Sequence, residues 1–339
     1  KMSPLIIAEA GVNHNSSLDL ALELVNAAAD AGADVIKFQT CWPEEVATSL
    51  AKKAKYQLET TDYSETQLEM TRKIHLKFEE FHRIIELCNK RNIEFLSSAF
   101  GMKSLAFLTT LEMKRFKIPS GEVTNYPYVA QIAKQNKDTI LSTGLCSLEE
   151  IDSAVDLMAR QGLDVKRKLT LLACNTAYPT PAEDVNLLAM NTLRSKYGCA
   201  VGFSDHSQGI IASCYAAALG ASVIEKHFTL SKKLPGPDHR SSCEPDELLE
   251  LVKNIRLLKV MLGDGKVVCS RSEKENKRVA RKSMVAAKAI KPGDIFTEEN
   301  LTTKRPLIGI GAEHWFKLVG RPSKGFYQLD EHLDPEELR

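Results

Sequence analysis

Cys199-Ala200-Val201-Gly202-Phe203-Ser204-Asp205-His206 and Ser222-Val223-Ile224-Glu225-Lys226-His227 decide how this chain is read. Each is a short apolar run that ends in a histidine, and an apolar, helix-like stretch lies between them. A connection through a helix is long enough for the two strands to be parallel neighbours in one sheet. As parallel neighbours, these strands bring His206 and His227 out at the same end of the sheet. Two imidazoles at one sheet edge are suited to a metal ion.

Outward from this unit the pattern repeats. Runs rich in Val, Ile and Leu fall at Leu5–Glu9, Asp34–Gln39, Ile93–Ser98, Arg115–Ile118, Thr139–Ser142 and Lys168–Ala173, ahead of Cys199–Phe203 and Ser222–His227. Amphipathic stretches separate them; Leu18–Ala31 carries apolar residues at 18, 21, 22, 25, 28 and 29, the period of a helix. Eight such units match a closed (β/α)8 barrel, the TIM-barrel member of the α/β class, over residues 1–262. An open doubly wound sheet is disfavoured, since no glycine-rich dinucleotide fingerprint follows the first strand. Residues 263–282 include the charge run Arg271-Ser272-Glu273-Lys274-Glu275-Asn276-Lys277-Arg278 and read as a solvated linker. Residues 283–339 hold short β-like runs (Ser283–Ala287, Leu301–Lys304) and turns such as Lys291-Pro292-Gly293-Asp294. A β-rich module this small has a thin core and is expected to lean on another surface, of its own barrel or of a second subunit.

Composition narrows the class. A chain of 339 residues with 43% hydrophobic and 26% charged residues is an ordinary globular protein. A net charge of +1 gives no electrostatic reason to expect nucleic acid or a membrane surface as partner. No signal-peptide pattern precedes the first strand, and no apolar run reaches the ~20 residues of a membrane span. The eight cysteines are scattered without a C-x-x-C pair, which points to a reducing cytoplasm.

In a barrel, chemistry collects where the strands end and the βα loops begin. Those ends carry Glu9, Lys37, Gln39, Ser98, Lys117, Ser120, Glu122, Ser142, Asn175, Tyr178, Ser204, Asp205, His206, Glu225 and His227. A core has no use for such a ring, since each buried polar group costs free energy unless it is paired. Lys37 and Lys117 with Ser120, Ser142 and the glycines at 121 and 144 suit a phosphate or a carboxylate. A single lysine here would as readily pair with a nearby carboxylate. His206 and His227, taken singly, are more often satisfied core imidazoles. Paired at adjacent strand ends they suit a labile Mn, Mg, Fe or Zn ion completed by oxygen donors. Glu9, Glu122 and Asp238 are candidate general acids or bases. His14 reads as a packing residue of its loop.

The strings themselves resemble the sialic acid synthase family. They are Ile7-Ala8-Glu9-Ala10-Gly11-Val12-Asn13-His14, Ile36-Lys37-Phe38-Gln39-Thr40, Lys117-Ile118-Pro119-Ser120-Gly121-Glu122, Leu141-Ser142-Thr143-Gly144 and Cys174-Asn175-Thr176-Ala177-Tyr178-Pro179-Thr180-Pro181. Phe203-Ser204-Asp205-His206, Glu225-Lys226-His227-Phe228-Thr229-Leu230 and Gly236-Pro237-Asp238-His239 continue the series in the same order. Ala280–Ser283 through Thr303–Pro306 is similar to that family's antifreeze-like (SAF) domain, a β-clip.

The resemblance implies condensation of phosphoenolpyruvate with an N-acylated mannosamine-type sugar, giving a nine-carbon 2-keto acid and phosphate by C–O cleavage. It implies that His206 and His227 hold a divalent metal, typically Mn, that polarises the sugar aldehyde. Lys37, Ser98, Lys117, Ser120, Ser142 and Ser204 would surround phosphoenolpyruvate, with Thr176 near its phosphate. Glu9, Glu122, Tyr178 and Asp238 would face the sugar and the reacting carbons, and Gln39, Phe100 and Asn175 complete the substrate-binding set. Arg305 would reach the N-acyl group in the active site of the second subunit of a domain-swapped homodimer. The chain departs from the family at Ser98-Ala99-Phe100, where many members have Thr-Pro-Phe, at Ala177, and at Leu307-Ile308-Gly309-Ile310-Gly311, where Gly-Asn-Gly is usual. The leading expectation is an N-acetylneuraminate synthase using N-acetylmannosamine. The alternatives are a legionaminic acid synthase using a diacetamido-trideoxy hexose and, in a different class, an inactive barrel that binds carbohydrate or a surface.

Overall fold

The computed structural model describes residues 3–48 and 50–339. The chain divides into two compact units, Lys1–Gly263 and Asp264–Arg339. In the first, eight strands close into a barrel in sequence order: β1 (Leu5–Gly11), β2 (Val35–Cys41), β3 (Glu94–Phe100), β4 (Arg115–Ile118), β5 (Asp138–Ser142), β6 (Leu169–Cys174), β7 (Ala200–Asp205) and β8 (Val223–His227). Every neighbouring pair is parallel, and β1 pairs with β8 to close the ring. The expected α/β barrel is therefore the observed one.

Local chemistry accounts for the elements around it. The helix Leu18–Asp30 starts at Ser17, whose hydroxyl accepts from the Leu20 N–H, and buries Ala21, Leu24, Val25 and Ala28. The helix Leu148–Arg160 starts with a Ser147–Glu150 capping box. Five of the barrel strands (β1, β2, β3, β6 and β7) run one or two residues past the ends read from apolar content, and β4, β5 and β8 end where expected. Gln39 still pairs with Ser98, and Cys41 with Phe100, so polar mouth residues remain part of the sheet. At β1 the register slips between Glu9 and Gly11, where Gly11 takes φ +52°. A bulge beside a strand-end carboxylate re-aims that side chain toward the mouth.

One long connection departs from the simple alternation. Between β2 and the helix Phe81–Arg91 stand three short helices, Pro43–Val46, Lys55–Thr60 and Gln67–Ile74. This segment gives the barrel mouth a cap.

In the second unit, Ser283–Ala286 (β9) pairs antiparallel with Leu301–Lys304 (β10) over a small core that includes Met284, Ile290, Phe296 and Leu318. The charge run read as linker is exposed, yet Arg271–Glu273 is a 3-10 turn and Lys274–Ala280 an α-helix. Among the described residues no helix is long and apolar enough to cross a membrane.

Candidate active site

The mouth of the barrel opens on a cavity of about 410 Å3, a volume that suits small molecules. Its floor is a charged network drawn from facing strands. Glu9 of β1 is the register partner of both Lys37 and His227. The Lys37 ammonium lies 2.9 Å from Glu9 Oε2 and 3.7 Å from Glu225 Oε2, and donates to Ser98 Oγ at 3.2 Å. Lys117 lies 3.2 Å from Glu225 Oε1, to which Ser204 also donates at 3.0 Å. All four charged side chains are buried.

Burial and charge split the two carboxyls. Burial raises Glu9 to about 7, with Lys37 opposing it and Glu225 adding to it. Burial would raise Glu225 as well, but Lys117 and Lys37 outweigh it and hold that carboxyl at about 2. Burial lowers the Lys117 ammonium, whereas on Lys37 the pull of Glu225 and Glu9 exceeds the cost of burial and raises it. Two carboxyls pushed apart in this way divide into a permanent anion and a group that exchanges protons near neutrality.

Beside the lysines is an anion cradle. Ser142 Oγ is buried with no hydrogen-bond partner, and Ser120 Oγ accepts from the Gly144 N–H at 3.0 Å. A Cβ at Gly144 would stand 2.8 Å from Thr176 Cγ2 and 2.9 Å from Ser120 Oγ, so only glycine lets these three groups meet. A buried orphan hydroxyl on a residue that lines the same cavity as two ammonium groups is a candidate donor for a ligand.

The imidazoles line the same cavity. The rings of His206 and His227 are 5.2 Å apart, centre to centre. Burial holds His206 at about 4 and His227 well below its ordinary value, so both are neutral at pH 7. His206 Nδ1 donates to the Asn175 carbonyl, which leaves Nε2 as the lone-pair nitrogen, 3.1 Å from the Tyr178 hydroxyl. His227 Nδ1 is buried without a hydrogen-bond partner and lies 3.9 Å from Asp238 Oδ2. Burial raises that carboxyl to about 6. Two neutral imidazoles, one oriented by a backbone carbonyl and one with an orphaned nitrogen, fit an open divalent-metal site. Among the described residues no group of three or more His, Cys, Asp and Glu side chains is placed to hold a metal ion, so the remaining donors would come from ligand and water.

A second layer, outside the barrel wall, holds the histidines in place. Asp205 and Lys226 form a buried ion pair of 3.1 Å between β7 and β8. Asp205 also accepts from the Ser207 amide, the Ser207 hydroxyl and Ser213, which pins the turn that follows His206.

The structure thus gathers Glu9, Lys37, Gln39, Ser98, Phe100, Lys117, Ser120, Ser142, Thr176, Tyr178, Ser204, His206, His227 and Asp238 around one cavity. Three expected site residues do not line it. Glu122 ends a 3-10 turn, Ser120–Glu122, and its Oε2 accepts from the Asn125 side chain at 2.6 Å. The Asn175 side chain accepts from the Ala177 N–H at 2.7 Å, so this residue reaches the site through its carbonyl. Arg305 belongs to the second unit, directly after β10. Glu225, present in the strand-end ring but given no role there, is the hub of the floor. Gln67, Met70, Thr71, Ile74 and His75 of the cap also line the cavity; their helical spacing was the only signal available.

An eight-stranded barrel whose mouth sets an anion cradle beside two neutral imidazoles is an enzyme-like architecture joined to a small β module. Residues 24–267 match the model of the NeuB family and residues 281–326 that of the SAF domain. The chain belongs to the NeuB family, as its motifs led us to expect. It is 48% identical to the N,N'-diacetyllegionaminic acid synthase of Campylobacter jejuni, over 96% of this chain and 98% of that one. It is 41% identical to the enzyme of the same name from Legionella pneumophila, over 98% and 95%. A crystal structure of N-acetylneuraminic acid synthetase from Leptospira borgpetersenii, in complex with citrate, aligns with a TM-score of 0.70 at 34% identity, over 81% of this chain and 90% of that one.

Proposed function

We propose that this chain is a nonulosonic acid synthase that condenses phosphoenolpyruvate with a diacetamido-trideoxy hexose to give a legionaminic acid and phosphate. The anion cradle at Ser142, Lys37 and Lys117, in one cavity with two neutral imidazoles, is the observation that carries the reaction class. The relatives at 48% and 41% identity carry the legionaminic name, while the sialic acid synthetase stands at 34%. That ordering moves the leading expectation from N-acetylmannosamine to the deoxy sugar.

In this reading Lys37, Lys117, Ser120 and Ser142 hold the phosphate and carboxylate of phosphoenolpyruvate. His206 and His227 would hold a divalent ion, which supplies Lewis-acid polarisation of the sugar aldehyde when bound. Tyr178 and Gln39 orient the open-chain sugar so that its aldehyde meets C3 of the enol. Glu9 exchanges the proton of the water that adds at C2 before phosphate leaves. We further propose a cytoplasmic homodimer in which Arg305 of each second unit serves the other subunit's barrel; all eight cysteines are free.

The test is phosphate release with saturating phosphoenolpyruvate and manganese, comparing the diacetamido-trideoxy hexose with N-acetylmannosamine. A preference for the deoxy sugar is expected. A preference for N-acetylmannosamine restores the sialic acid reading, and no turnover with either revives the binding-protein reading.

A further inference from the structure

The cap helix Gln67–Ile74 turns one face to the cavity. Gln67, Met70, Thr71 and Ile74 all line it, the i, i+3, i+4, i+7 positions of a single stripe, and His75 follows at the helix end. Thr71 is satisfied within the helix, its hydroxyl donating to the Gln67 carbonyl at 2.8 Å. Two other polar atoms are not. Gln67 Oε1 and His75 Nδ1 are buried with no hydrogen-bond partner. Between them the stripe is apolar, with Met70 and Ile74 facing the same space.

Two residues that line the cavity thus each keep a buried polar atom without a hydrogen-bond partner, a carboxamide oxygen on Gln67 and one ring nitrogen on His75. Each costs the desolvation of a polar group that forms no bond in return. The cost is recovered when a ligand brings donors to both ends and an apolar surface to the middle. N-acyl groups supply that combination: an amide N–H for an acceptor and a methyl for a thioether or a branched alkyl chain.

We propose that Gln67 and His75 are the specificity-determining polar contacts of the sugar subsite, and that Met70 and Ile74 between them receive the second acetamido methyl or the deoxy carbon of the sugar. The inference rests on the reading of this cavity as that of a nonulosonic acid synthase, and it assigns the choice of sugar to the cap. A hexose with hydroxyls at both of those positions would bury one of them against Met70 and Ile74 without a partner. The floor of lysines and serines takes no part in that choice, because phosphoenolpyruvate is common to both reactions.

Gln67→Leu and His75→Leu in the full-length, manganese-loaded protein test this. Each is expected to raise KM for the diacetamido sugar on the order of tenfold, the effect of one lost hydrogen bond in a buried site. KM for phosphoenolpyruvate should stay within about twofold, and the ratio of kcat/KM between the two sugars should fall. Gln67→Leu also removes an orphaned polar atom, so its melting temperature without substrate should equal or exceed that of the parent. Loss of sugar affinity with no loss of stability is a signature that a merely structural residue does not produce. Gln67→Asn, polar but shorter, should fall between parent and Gln67→Leu. Unchanged sugar KM and unchanged sugar ratio in both leucine variants would overturn the role of the cap, as would equal losses for sugar and phosphoenolpyruvate with a lower melting temperature. A parent enzyme that prefers N-acetylmannosamine overturns the substrate assignment instead, so the two failures are read from different proteins.

Discussion

Glu9 and Glu225 share one ammonium group, that of Lys37, yet they titrate on opposite sides of the ordinary carboxylate range. Glu225 has two lysines and a serine donor, whereas Glu9 has the Lys37 ammonium and the Gln39 side-chain amide beside it, so the burial that both suffer is outweighed only in Glu225. Glu9 is held at about 7, protonated below that pH and ionised above it. If it accepts the proton of the attacking water, kcat/KM falls as pH drops through about 7. Glu9→Gln should lose ~10²–10⁴-fold in kcat and lack this inflection. Matching profiles for parent and variant, measured by phosphate release, would remove Glu9 from the proton transfer.

The hub makes a stability prediction. Glu225→Gln removes the carboxylate paired with Lys117 and one of the two paired with Lys37, both buried, and breaking a buried pair costs ~3–5 kcal/mol. Urea unfolding should show a loss of that order. Added phosphoenolpyruvate should return part of it, because its anionic groups replace the missing carboxylate. An unchanged unfolding midpoint would show that the lysines do not depend on Glu225.

Acid should destabilise the barrel before carboxylates account for it. Burial holds His14 at about 3, His75, His206 and His239 at about 4, and His227 well below its usual value. The unfolded chain protonates these imidazoles near pH 6.5, and the folded chain does not. Their contribution is therefore complete above 6.5 and is lost as pH falls toward 4. Glu9 and Asp238, both raised, act in the opposite sense, but they are two groups against five. The urea midpoint of the metal-free protein should drop between pH 7.5 and 5. A midpoint that rises over that interval contradicts the burial of these rings.

His206→Ala and His227→Ala are expected to abolish metal-dependent turnover and to weaken manganese binding in calorimetry by at least ~100-fold. Circular dichroism should show the barrel intact. Full activity after chelation and either substitution excludes the metal role.

Arg305→Ala is expected to raise KM for the sugar with little change in that for phosphoenolpyruvate. Mixed with His206→Ala under conditions of subunit exchange, it should recover part of the parent activity. No recovery would place Arg305 outside any shared site.

Much of this was legible in the chain. Eight apolar runs with period-two ends announced the barrel, and a polar residue after nearly every run announced the mouth, because a closed core excludes such groups. Strand-end position says nothing about the 3-10 turn that sends the Glu122 carboxylate to Asn125. Nor does it say that the Asn175 backbone carbonyl accepts from His206. Glu225 was visible, but its role depends on two lysines from β2 and β4 that only the closed barrel brings together. The face at 67, 70, 71 and 74 has the same spacing as any surface helix, and nothing in the chain says which side of it meets a cavity.

The ion pair between Asp205 and Lys226 has a consequence for assembly. Along β7 and β8 the inward residues Ser204 and Glu225 alternate with the outward residues Asp205 and Lys226, and the two pairs lie side by side in register. A slip of either strand by one residue would carry an ammonium or a carboxylate into the wrong compartment and strand its partner. Each pair thereby proofreads the other: the barrel closes without a buried lone charge only in the alignment that also delivers both imidazoles to the mouth.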